Sequence, residues 1–167
     1  SGHSARVALY ADCIAAELGL EPRRRRWLKR ASLLHDMGKL GVSNAILDKP
    51  GKLDETEWAA VRQHAVYTEN ILSRIGAFTE MAIVSGAHHE RLDGKGYPRG
   101  ISGEAISLET RIITTADIFD AITAERPYRG AMPVAKTLEI MGSEVGQAID
   151  LRCFEALQRI VDELGLS

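Results

Sequence analysis

The chain has 167 residues, 45% of them apolar and 26% charged, with a formal net charge of -2. That length suits one domain with its own core and is short for two; the composition excludes a disordered chain, and the slightly acidic balance speaks against a general DNA or RNA binder. No apolar run is long enough for a membrane helix, and the opening stretch SGHSARVALY lacks the pattern of a signal peptide.

The same opening reads as a chain cut at or just before its first helix, so residues 1–167 are expected to be a single domain excised from a longer protein with an upstream regulatory domain. Cys13 and Cys153 are the only cysteines. Two thiols far apart in a core-rich chain fit a reducing cytoplasm better than a secreted scaffold.

Taken in chain order, Val7, Tyr10, Ala11, Ile14 and Leu18 recur at helical spacing and Gly19 is a stop signal. Pro22 opens a second helix expected to run to about Met37. Its basic cluster, Arg23 to Arg26 with Lys29 and Arg30, reads as a solvated face opposite the inward Trp27, Leu28, Ala31 and Leu34. The sharper alternative is a docking surface for an acidic partner or nucleotide. A loop containing DKPGKLD follows.

Asp54 with Glu57 has the spacing of a capping box. The helix after it carries Trp58, Val61, His64, Ala65, Ile71 and Leu72 and ends near Gly76. Another is expected from about Thr79 to His89. Residues 90–107, with glycines at 94, 96 and 100 and a proline at 98, read as a long ordered loop of the kind that carries function. Ser107, Pro133 and Asp150 suit the starts of helices over 108–124, 133–146 and 150–164. The expected fold is all-α, a compact bundle of six or seven helices.

The chemistry concentrates in three short stretches. LLHDMGKLG pairs His35 with Asp36, AHHERLDGKGYPRG sets His88 beside His89, and TTADIFDAIT places Asp117 and Asp120 on an otherwise apolar helix. A carboxylate in an apolar stretch is costly to bury without a partner. Several converging from different helices would repel one another unless a cation lay between them. Imidazole and carboxylate ligands suit first-row ions such as iron, manganese or nickel, and no cysteine lies near for a thiolate zinc site. Each piece alone has an ordinary structural explanation; the combination points to metal. Neighbouring helical residues point about 100° apart, so His88 and His89 can serve one ion only near a helix end.

At this point the chain resembles a known family. HDMGK at 35–39 and HHERLDGKGYPRG at 88–100 are similar to the two signatures of HD-GYP domains, and GHSARV, ILDKPGKLDETEW, RQHAVYTENIL and ADIFDAITAERPYRGAM follow in the family's order. The resemblance implies a bacterial cyclic-dinucleotide phosphodiesterase of the HD phosphohydrolase superfamily, acting in signal transduction. The substrate it implies is cyclic di-GMP, cut to linear pGpG or GMP. It implies two divalent ions, iron or manganese, with a third in some relatives. His3, His35, Asp36 and Asp117 would hold one, and His64, His88 and His89 the other, with Asp36 bridging.

The same resemblance gives a hydroxide held between the ions as nucleophile. Lys39 would neutralise the phosphate or protonate the leaving oxygen, and Asp120 would orient a ligand or the water. Arg126 and Arg129 are candidates for the substrate's other phosphate, and Tyr128 for the pocket wall. Diguanylate cyclase (GGDEF) proteins are implied as partners at the GYP loop. Two other readings stand beside this one: a phosphohydrolase of another nucleotide, and a sensor or docking module without turnover.

Overall fold

The computed structural model describes residues 2–36, 52–73, 79–125 and 130–166, with backbone alone for 64, 65, 67–69 and 71–73. Among the described residues there are seven α-helices and no named strand. They are α1 Gly2–Glu17, α2 Pro22–Leu34, α3 Glu55–Ser73, α4 Thr79–Gly86, α5 Leu108–Thr123, α6 Val134–Gly142 and α7 Leu151–Glu163, with a 3-10 turn at Gly103–Ala105. The all-α expectation is met.

The ends of these helices follow from local chemistry. Gly19 adopts φ 80°, and the amides of Gly19 and Leu20 return to the carbonyls of Ala16 and Ala15, closing α1 in a Schellman motif. Asp54 and Glu57 exchange side-chain to backbone hydrogen bonds of 2.9 and 2.8 Å, so the capping box forms with Asp in the Ser position. Ser107 accepts from the Thr110 amide and Asp150 from the Cys153 amide.

α5 is the central helix. Ile112, Ile113, Ala116 and Phe119 are buried on it, and α1, α2, α4 and α7 bring Val7, Ile14, Leu28, Met81 and Leu157 into the same core. α7 buries Cys153, Phe154, Ala156, Leu157, Ile160 and Val161, a repeat of three and four residues that gives it one apolar stripe. The basic run on α2 is more than a solvated face. Arg24 reaches Glu80 and Glu109, Arg25 forks onto Asp12, and Arg24 lies 4.0 Å over the Trp27 ring, so two of the arginines tie α2 to its neighbours.

Three boundaries differ from the sequence expectation. α2 stops at Leu34, leaving His35 and Asp36 in a turn; α4 stops at Gly86, leaving His88 and His89 beyond it; α6 stops at Gly142 and not near 146. In the first two the carbonyl of a serine three residues back is taken by a histidine ring, Ser32 by His35 and Ser85 by His88. The side chains bond to groups that a continuing helix would use, and each helix ends within two residues of the histidine whose ring turns inward.

No described helix is long and apolar enough to cross a membrane.

Candidate metal centre

His3 comes from the first turn of α1, His35 and Asp36 from the end of α2, His88 and His89 from the end of α4, and Asp117 from the middle of α5. They converge. His3 Nε2 lies 3.1 Å from Asp36 Oδ2 and 3.0 Å from Asp117 Oδ1, and His35 Nε2 lies 3.0 and 3.2 Å from the same two oxygens. The second oxygen of Asp36 faces His88 Nε2 at 3.7 Å. Ligand atoms of His3, His35, Asp36 and Asp117 lie within 4.8 Å of one another, as do those of His88, His89 and Asp117. Asp117 therefore belongs to both sets, and Asp36 reaches toward both.

The other ring nitrogens fix what those contacts mean. His35 Nδ1 is 2.6 Å from the Ser32 carbonyl, and His88 Nδ1 contacts the Ser85 carbonyl. A carbonyl only accepts, so each Nδ1 carries the proton and each neutral ring presents a lone pair at Nε2. At His35 that lone pair faces the Asp36 and Asp117 oxygens at hydrogen-bond distance. The arrangement holds only if a proton or a cation sits between them. In the metal-free protein it is a proton. Burial opposes it on His3, but the hydrogen bonds to Asp117, Asp120 and Asp36 win and raise its pKa from 6.5 to about 11. On His35 burial is again outweighed by Asp117 and Asp36, and the pKa rises to about 9. A buried set of imidazole lone pairs and carboxylates is also a donor set for a divalent first-row ion, so the residues fit the metal that the sequence suggested.

Asp120 belongs to the orientation of the site. It is 1% exposed; Oδ2 is 2.6 Å from His3 Nδ1, while Arg6 donates to Oδ1 from Nε at 2.6 Å. It thus holds the His3 ring with Nε2 aimed at Asp36 and Asp117, as acidic partners of metal-bound histidines do. Asp120→Asn is expected to lower affinity for manganese about 10- to 100-fold while the helical circular dichroism is kept; a titration showing unchanged affinity would remove that role.

Protonation gives a second expected result. His3 and His35 have folded pKa values raised above 6.5, so their contribution to metal-free stability is complete below 6.5 and is lost as pH rises through about 9 to about 11. The Asp117 carboxyl is held well below its ordinary value; burial raises it, and the His3 and His35 hydrogen bonds more than offset that, so its part is lost in acid. Bound metal replaces the histidine protons, so the gain in melting temperature on adding manganese should grow between pH 6.5 and about 9. A gain that shrinks over that range would contradict the site.

The loop after His89 is built from its own polar groups. The Glu90 carboxylate, 3% exposed as a residue, accepts from the amides of Arg99 at 2.6 Å and Ile101 at 3.0 Å. Asp93 receives Arg91 and the Lys95 amide. Gly94 and Gly100 adopt positive φ, as their role in a tight loop requires. Gly96 serves differently: a Cβ there would lie 2.7 Å from Glu90 Cα, so its missing side chain is what lets the loop press on residues 89–91. The Tyr97 amide donates to the His89 carbonyl, and the Tyr97 ring stacks on His89 at 4.7 Å and 21°. The Tyr97–Pro98 peptide bond is cis.

Of the other residues named from sequence, His64 lies on α3 with its side chain outside the described residues, and Lys39, Arg126, Tyr128 and Arg129 also lie outside them. Sequence reasoning missed Arg6, one turn beyond His3, and Thr114, whose hydroxyl donates to the His88 carbonyl at 2.7 Å. It also missed Glu90 as the acceptor that shapes the loop. The helical offset from His3 was the available signal for Arg6; nothing local marked Thr114.

A cleft of about 380 Å³ opens beside this cluster, and His88, His89, Tyr97, Asp117, Trp58 and Ala121 are among the residues that line it.

Comparison with known proteins places the chain as follows. Residues 1–153 match the family model described as HD domain. A Vibrio cholerae protein named 3'3'-cGAMP-specific phosphodiesterase 3 is 62% identical over 98% of this chain and 36% of its own length. The Xanthomonas campestris cyclic di-GMP phosphodiesterase response regulator RpfG is 40% identical over 92% of this chain and 41% of its own. The chain thus spans well under half the length of these relatives. The crystal structure titled as a V. cholerae cyclic GMP-AMP specific phosphodiesterase (V-cGAP3) matches with a TM-score of 0.61 at 56% identity, over 97% of this chain and 36% of that one. An HD-GYP-type protein from Bdellovibrio bacteriovorus, Bd1817, matches with a TM-score of 0.79 at 21% identity, over 97% of this chain and 52% of that one, which shows a shared fold.

Proposed function

The chain belongs to the HD domain family, in its HD-GYP group, and from that footing we propose that it is a metal-dependent phosphodiesterase that opens a bacterial cyclic dinucleotide. The observation that carries this reading is the convergence of the His3 and His35 Nε2 atoms on Asp36 and Asp117, with His88 and His89 against the same Asp117. Divalent ions bound there supply charge neutralisation of a phosphodiester and an acidified water.

The protein's own contribution is placement. His3, His35, Asp36 and Asp117 would hold one ion, and His88 and His89, with His64, would hold the other, with Asp36 and Asp117 lying between the two groups of histidines. Asp120 and the Ser32 and Ser85 carbonyls keep each bonded ring in the tautomer that carries its lone pair on Nε2. Lys39 is assigned to the leaving oxygen or the phosphate, Arg126 and Arg129 to the second phosphate, and Tyr128 to the wall beside them, each on its side-chain chemistry and its place in the matched motifs.

The resemblance alone implied cyclic di-GMP. The relative at 62% identity is named for 3'3'-cGAMP and the one at 40% for cyclic di-GMP, which favours the mixed guanine–adenine ring as the better substrate here. The test is a panel of 3'3'-cGAMP, cyclic di-GMP and nucleoside triphosphates with protein loaded with manganese or reduced iron. Hydrolysis of the cyclic dinucleotides, the mixed ring fastest, is expected. Hydrolysis of the triphosphates alone, or tight binding of the rings without turnover, would refute the reading.

A further inference from the structure

We propose that Trp58 is the stacking surface for one purine of the substrate, so that the cleft beside the metal centre is a nucleobase site. The inference rests on the phosphodiesterase reading above. Trp58 is 43% exposed, at the end of the first turn of α3, and it borders the cleft of about 380 Å³ that Asp117, His88 and His89 also line. The chain has one other tryptophan, Trp27, which is packed against the core with Arg24 over its ring. Other large apolar side chains, such as Leu33 and Leu151, are also exposed, but of these exposed residues only Trp58 borders this cleft. Its position at a cleft wall gives that exposure a use.

The cleft changes character along its length. The end at Asp117 takes cations and, through them, phosphate. One helical turn further on, Ala121 with Ile118 and Ile122 makes an apolar wall on α5. Four residues of helix rise about 6 Å, comparable to the reach from a phosphate through its ribose to the base. A diester phosphate at the metal end therefore brings an attached purine alongside Ile118, Ala121 and Ile122, where Trp58 supplies an aromatic face. An aliphatic wall offers no hydrogen bond to a phosphate or a sugar hydroxyl, and together with the face of an indole it matches the flat, weakly polar face of a base.

Two measurements test this. In manganese-loaded protein, Trp58→Ala should raise KM for 3'3'-cGAMP about tenfold, the size expected for one base–aromatic stack, and Trp58→Phe should recover most of the loss. The inhibition constant of inorganic phosphate, which has no ring to stack, should change markedly less. An unchanged KM for 3'3'-cGAMP in Trp58→Ala, or an equal loss of affinity for phosphate, would overturn the proposal. The second measurement does not depend on the alanine variant folding. In a Trp27→Phe background Trp58 is the sole tryptophan, and GMP should quench its fluorescence while ribose phosphate should not. Absence of quenching by GMP, or equal quenching by both, would overturn it. A wild-type protein that hydrolyses no cyclic dinucleotide yet shows the GMP-specific quench would sink the functional reading and leave the base site standing. Hydrolysis by Trp58→Ala with unaltered KM would do the reverse.

Discussion

Asp36→Ala is expected to abolish metal binding and turnover together. Asp36 gives one oxygen to the His3 and His35 side of the cluster and the other to His88. Removing it leaves imidazole lone pairs facing a single carboxylate, Asp117, which has then to serve both halves. Loss of a partner that merely orients a ligand costs about 10- to 100-fold; loss of a carboxylate that joins both halves should exceed that, roughly a thousandfold or more in kcat/KM. The variant should still fold, because Asp36 sits at a helix end outside the apolar core. Elemental analysis beside a 3'3'-cGAMP assay reads both effects. A variant that retains its ions and its rate would show that the cluster is not the seat of catalysis.

Gly96→Ala is the second large effect expected. Its added methyl would sit 2.7 Å from Glu90 Cα and 2.5 Å from the Arg91 amide nitrogen. Both atoms are backbone and cannot swing aside as a side chain would. Overpacking of this kind costs roughly 1–3 kcal/mol, and here it falls on the segment that carries His89. The loop must lift, breaking the Tyr97 amide bond to the His89 carbonyl and the ring stack above it. Loss of the second ion and at least a tenfold drop in kcat should follow, with α1, α2 and α5 intact. Gly94→Ala should be milder. Its φ of +80° is costly for alanine, about 1–2 kcal/mol, but its nearest neighbour is the Ser102 side chain at 3.3 Å. Equal behaviour of the two variants would mean that the close approach at Gly96 is not what holds His89.

The helices were legible because their apolar spacing and stop signals are local. Gly19, the Asp54–Glu57 pair, Ser107 and Asp150 each act within a few residues of themselves. The charged cluster was legible for a different reason: His35, Asp36, His88, His89 and Asp117 are residue types that apolar helices exclude unless something offsets the cost. What stayed hidden depended on packing between distant segments. The early ends of α2 and α4 go with histidine rings turning back onto the Ser32 and Ser85 carbonyls, contacts that the local sequence does not display. The bond from Arg6 to Asp120 spans 114 positions, and the tie from Thr114 to His88 spans 26. In sequence Gly96 looks like Gly94 and Gly100, which adopt positive φ; only the folded loop shows that Gly96 supplies space.

The central claim is that these side chains surround divalent cations, and anomalous diffraction tests it most directly. Crystals grown with ample manganese or reduced iron, measured at that metal's absorption edge, should show a peak enclosed by His3, His35, Asp36 and Asp117 and a second against His88, His89 and Asp117. No peak in either place, with the His3 and His35 Nε2 atoms still bonded directly to Asp36 and Asp117, would contradict it.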